Sequence, residues 1–94
     1  MRNNQFGPFI REKRESLKAT DRAFSVRQVA ERVGLEPSYL SKIERGDQPP
    51  PSERTVVALA RELDLDPDVL LALAGKISSD LAQLFANDPN FSPN

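Results

Sequence analysis

The stretch from Ser25 to Gly46 constrains the fold most, because its punctuation permits only short helices. A serine at 25, a glycine at 34, a proline at 37 and a second glycine at 46 cut it into two segments. Ser25 followed by Gln28 is a capping box, in which the hydroxyl takes the amide three residues on. Val26, Val29, Ala30 and Val33 then recur at helical spacing and form a stripe to be buried. Gly34 ends that helix where the chain must turn through positive φ, a conformation that costs glycine nothing. Pro37 suits the first position of the next helix, where a missing N–H has no intrahelical partner to lose. Leu40 and Ile43 give that helix an inward face, and Gly46 closes it. Helices this short are marginal alone in water, so each needs packing against neighbours. Ala30 is small where the two helices cross, and Leu35 and Leu40 fill the angle between them. Such a pair holds its second helix proud of the surface, with a diameter that fits the DNA major groove.

The flanking sequence supplies more helices and no strand signal: there is no alternating β-branched run and no Asn-Gly or Asp-Gly turn. A first helix is expected over 9–17, with Pro8 near its start and Phe6, Ile10, Lys13, Arg14 and Leu17 on one face. Residues 18–24 are polar and read as a loop. The Pro-Pro-Pro run within 47–51 is extended and stiff. Ser52 caps a fourth helix carrying Val56, Leu59, Ala60 and Leu63. Asp66-Pro67 opens a fifth through Ala74, closed by Gly75. Ser78 or Ser79 opens a sixth with Leu81, Leu84 and Phe85, and the Asn/Pro-rich end from Asn87 is expected to fray. The fold class is therefore all-α, a compact five- to six-helix bundle. Residues 1–75 are expected to form one domain around the 25–45 motif, with 76–94 a helical extension and tail available for dimerisation or a protein partner.

Composition narrows the chemistry. The chain has no Cys and no His, which excludes disulfide scaffolds, thiolate zinc sites and cysteine nucleophiles, and removes the commonest general base. An enzyme would have to run on carboxylates, Lys, Ser or Tyr, without a Gly-rich phosphate loop. No cofactor and no metal are expected. No apolar run reaches membrane-spanning length and no signal-peptide pattern opens the chain, so the expected location is the cytoplasm. The net charge of −1 hides an asymmetry: residues 1–47 carry ten Lys/Arg against seven Asp/Glu, and residues 48–94 three against seven. A cationic front half suits phosphate, and an acidic back half would point away from it.

Phe9-Ile10-Arg11-Glu12-Lys13-Arg14, then Val29-Ala30 and Gly34, then Tyr39-Leu40-Ser41-Lys42-Ile43-Glu44-Arg45-Gly46, carry a resemblance. So do Pro51-Ser52-Glu53-Arg54-Thr55-Val56 and Leu70-Leu71-Ala72-Leu73-Ala74. Over about residues 6–75 the chain resembles the lambda-repressor-like helix-turn-helix regulators, also called the xenobiotic-response-element type. The resemblance implies that Ser38, Tyr39 and Lys42 contact bases. Pro37 matches a base-reading position but can offer only an apolar contact, and Ser41 lies beside a base edge or a phosphate. Arg11, Ser25 and Arg27 match residues that position the domain on the DNA backbone. Arg14 and Glu44 match a structural ion pair between the first and third helices. Three features depart from the pattern. Val26 replaces a Gln that often reaches DNA, the 18–24 loop is longer than usual, and anionic Glu36 stands where Ser or Thr is commoner. Glu36 either caps the third helix through its dipole or repels phosphate.

Ordinary structural roles compete with each assignment. Lys42 could be a solvated residue, Tyr39 a half-buried packing residue, and Arg11 and Arg27 plain surface charges. The leading expectation is a bacterial transcriptional repressor on double-stranded DNA. The alternatives are an antitoxin that binds a toxin through 76–94 and represses its own operon, an adaptor using the fold as scaffold, and more remotely an enzyme. One recognition helix reads few base pairs, so a homodimer on a pseudo-palindromic operator is expected. Its interface should lie away from 36–45, on a stripe of Leu70, Leu73, Ile77, Leu81, Leu84 and Phe85 shared between core and interface.

Overall fold

Five α-helices and one 3-10 turn make up the regular structure of the computed structural model, which describes residues 5–76. In chain order they are α1 (Phe6–Lys18), the 3-10 turn (Arg22–Phe24), α2 (Val26–Val33), α3 (Pro37–Glu44), α4 (Glu53–Glu62) and α5 (Pro67–Leu73). The all-α expectation holds, and the described residues contain no strand. The expected sixth helix, with Ile77, Leu81, Leu84 and Phe85, lies outside them.

α1 starts three residues earlier than the sequence reading placed it. Phe6 enters the core at 2% exposure, and Gly7 is buried against α3. Pro8 therefore falls in the first turn, where a helical amide lacks an intrahelical acceptor. The first i→i−4 bond runs from the Phe9 N–H to the Gln5 carbonyl at 3.0 Å. The 18–24 segment is also more ordered than a polar loop. Asp21 caps the 3-10 turn by accepting from the Ala23 N–H at 2.9 Å, and this swings Phe24 inward to pack on the core.

The core is one cluster of buried apolar residues from all five helices, including Ile10, Leu40, Ile43, Leu59, Leu63 and Leu70. Burying each such side chain contributes about 1.5–3 kcal/mol. α1 packs on α3, α2 packs on both α3 and α4, and α4 packs on α5. Val29 and Ala30 are fully buried on α2, whereas Val26 and Val33, at the ends of the expected stripe, are half-buried. Leu70 is fully buried, on the core side of a stripe expected to be shared between core and interface. Val69 is the large apolar residue of α5 that is exposed.

Two further devices fix the back of the bundle. Arg32 of α2 donates to Glu62 of α4, and its guanidinium lies 5.4 Å from the centre of the Phe24 ring. After α4 the chain turns through Asp64 at φ 57°, and the Leu65 N–H closes the helix on the Ala60 carbonyl at 2.7 Å.

Candidate nucleic-acid interface

The turn between α2 and α3 is built from the residues that announced it. The Ser25 hydroxyl accepts from the Gln28 N–H at 3.2 Å. Gly34 adopts φ 77°, and the Leu35 N–H reaches back to the Ala30 carbonyl at 2.8 Å. Glu36 is the N-cap of α3, but its side chain makes no capping bond, so the helix start rests on Pro37 at its first position.

α3 has two unlike faces. Leu40, Ile43 and Glu44 point inward and are buried. Ser38 and Lys42, one helical turn apart, are exposed, and Pro37, Tyr39 and Ser41 are half-buried. Tyr39 packs against the core, so its ring is partly structural.

Arg14 and Glu44 hold α1 to α3. The Arg14 Nε and Nη2 donate to the two Glu44 oxygens at 2.7 and 2.9 Å, and Nη1 donates to the Phe24 carbonyl at 3.1 Å. Both side chains are almost fully buried. Such a fork is the strong form of the arginine–carboxylate pair. The hydrogen bond to Glu44 raises the Arg14 pKa above its ordinary value against the opposing effect of burial. The pair therefore ties the 3-10 turn, α1 and α3 into one unit beneath the outward face of α3.

Beside α3 lies a concave cleft of about 480 Å³ between α1, the start of α2 and the end of α3. Arg11, Ser25, Arg27 and Ser41 all line it, so residues from three separate stretches of the sequence share one wall. Pro37, Ser38, Tyr39 and Lys42 stand outside that lining, on the neighbouring surface of α3. Lys18 and Arg45 also line the cleft, and sequence reasoning passed over both. Lys18 was assigned to the loop, although α1 carries it. Arg45 was read only as the end of α3, although its place three residues after Lys42 was the available signal. Arg11 faces Glu15 at 3.7 Å and Arg45 faces Asp47 at 3.1 Å. Lys18, Arg27 and Lys42 have no carboxylate partner among the described residues. Gly7 is a third residue the sequence reading missed. A Cβ there would stand 2.2 Å from the Ile43 carbonyl oxygen and 2.8 Å from that of Glu44, so α1 reaches the end of α3 only because position 7 has no side chain.

Hydroxyls and cations, the donor set that suits phosphate oxygens, thus dominate the wall, with Glu15 and the paired Glu44 also lining it. Among the described residues no group of three or more acidic side chains is arranged to hold a metal ion, and no helix is long and apolar enough to cross a membrane. Neither the curated proteins nor the solved structures give a significant match. A family model described as a helix-turn-helix domain matches residues 5–73, well over half of the chain. With that match running from the residue before α1 to the end of α5, the chain belongs to the helix-turn-helix domain family, consistent with a DNA-binding regulator of the lambda-repressor type.

Proposed function

We propose that the protein is a sequence-specific repressor that inserts α3 into the DNA major groove. Ser38 and Lys42 read base edges there, Pro37 and the exposed edge of Tyr39 add apolar contact, and Ser41 sits at the border with the backbone. Arg27, Ser25 and Arg11 take the adjacent phosphates. The observation that carries this reading is the joining of two surfaces: an outward face of α3 free of structural hydrogen bonds, and a hydroxyl- and cation-lined cleft beside it. Two copies act together on a pseudo-palindromic site, because one helix of eight residues spans too few base pairs to select a site alone. With chromosomal DNA as partner, the working compartment is the cytoplasm and its nucleoid.

Enrichment from a random duplex pool followed by sequencing tests the reading. The expected product is a motif with two-fold symmetry and half-sites about 10 base pairs apart. A reporter promoter carrying that motif should fall in output when the protein is present. Failure to retain any duplex at low salt would remove the reading.

A further inference from the structure

Four cations stand on the rim of the cleft, and two of them are already paired. Arg11 Nε lies 3.7 Å from Glu15 Oε2, one turn along α1. Arg45 Nε donates to Asp47 Oδ2 at 3.1 Å, just past the end of α3. All four side chains are more than half exposed, from 53% to 61%. Exposed pairs of this kind add little to folding, so stability does not account for them. Lys18 and Arg27, on the same rim, have no such partner among the described residues.

Position sharpens the contrast. Glu15 lines the cleft itself and also lies 3.9 Å from Arg14 Nη2, so its carboxylate sits between two arginines. Arg11, Glu15 and Arg45 also line an adjoining cleft of about 590 Å³, with Asp47 on its wall. A carboxylate between guanidinium groups on a concave wall has the charge and hydrogen-bonding pattern of a bound phosphate.

We propose that Glu15 and Asp47 are internal competitors for DNA phosphate, each occupying the arginine that a backbone phosphate would otherwise neutralise. The inference rests on the reading of the cleft as a DNA-backbone site. Sequence-independent affinity comes from cations that replace the counterions condensed on DNA. An arginine held by its own carboxylate adds no net charge and must lose that partner before it takes a phosphate. The grip on arbitrary sequence is then set by Lys18 and Arg27, with Arg11 and Arg45 held in reserve.

The test uses the whole chain and a duplex of scrambled sequence, with affinity read by fluorescence anisotropy from about 50 to about 200 mM salt. Glu15→Gln and Asp47→Asn remove charge from exposed positions and keep the side-chain size. Each is expected to tighten low-salt binding by about two- to fivefold, the range set by an exposed ion pair. Each should also steepen the plot of log affinity against log salt, by up to about 0.9 for each arginine set free. In an Arg11→Ala background, Glu15→Gln should have no effect. Unchanged affinity in both single variants overturns the inference. So does an equal gain with and without Arg11, which would mark a general charge effect. Both outcomes leave the DNA-binding reading standing, whereas a wild-type protein that binds no duplex at the lowest salt overturns the two together.

Discussion

A methyl group added at position 7 meets backbone, not a side chain that can rotate away, so α1 or α3 has to shift. Gly7→Ala is expected to destabilise the fold by about 1–3 kcal/mol, the usual cost of overpacking, read from the denaturant midpoint at constant slope. The opposite sign is expected at position 64. Asp64 holds a left-handed conformation that disfavours side chains, and it is exposed. Asp64→Gly should therefore raise stability by about 0.5–1 kcal/mol, seen as a higher Tm. Neither position stood out in the sequence. The close approach at Gly7 arises between residues nearly 40 apart in the chain, and the Asp64 turn gave no signal because an Asp before Leu65-Asp66-Pro67 reads as an ordinary loop. Residues whose roles are local were legible: the Ser25 cap, the Gly34 turn and Pro37 at a helix start are each set by their own few neighbours.

Between elements, the decisive contact is the fork that ties α1 to α3. Removing one partner leaves a buried charge without compensation, so Arg14→Ala or Glu44→Ala should cost about 3–5 kcal/mol. Arg32→Ala, which opens the more exposed tie between α2 and α4, should cost about 1 kcal/mol. Denaturant titration of the three variants ranks them, and equal losses would contradict the burial argument. The sign of the pH dependence follows from the raised Arg14 pKa. The stabilisation is complete below the ordinary arginine range and is lost only as the pH rises through the still higher folded value. Helix identities were readable because apolar spacing and capping residues agree within each one. Their ends were less so, since α1 is lengthened by what Phe6 and Gly7 touch across the core, and Phe24 is drawn in by a turn whose cue was the single residue Asp21.

For the molecule as a whole, the expected signature is modest dependence on salt. Lys18, Arg27 and Lys42 are the cations at the site without carboxylate partners among the described residues. With Lys42 on a base edge and Lys18 and Arg27 on phosphate, the slope of log affinity against log salt should therefore be about −2 per subunit. Lys42→Ala should change which sequences are bound, whereas Arg27→Ala should weaken preferred and scrambled duplexes alike, because phosphate contacts carry no code. Parallel selections with the two variants check this, and an unaltered motif in Lys42→Ala would remove that lysine from base reading. Sedimentation equilibrium with and without the preferred duplex should give two subunits per site. The sequence pointed to the residues of this surface one at a time but not to their joining into one wall. That joining depends on how α1 lies against α3 and the 3-10 turn, which packing decides and spacing does not.

The division of α3 into an inward and an outward face bears on how such a protein can acquire new targets. Leu40, Ile43 and Glu44 hold the helix in place, whereas the side chains of Ser38 and Lys42 make no hydrogen bond or ion pair with the rest of the described chain. On the proposed function, folding and address are thereby written on interleaved but separate positions. A lineage, or a laboratory library, can alter the address by substituting two or three side chains while the scaffold under selection for stability stays constant.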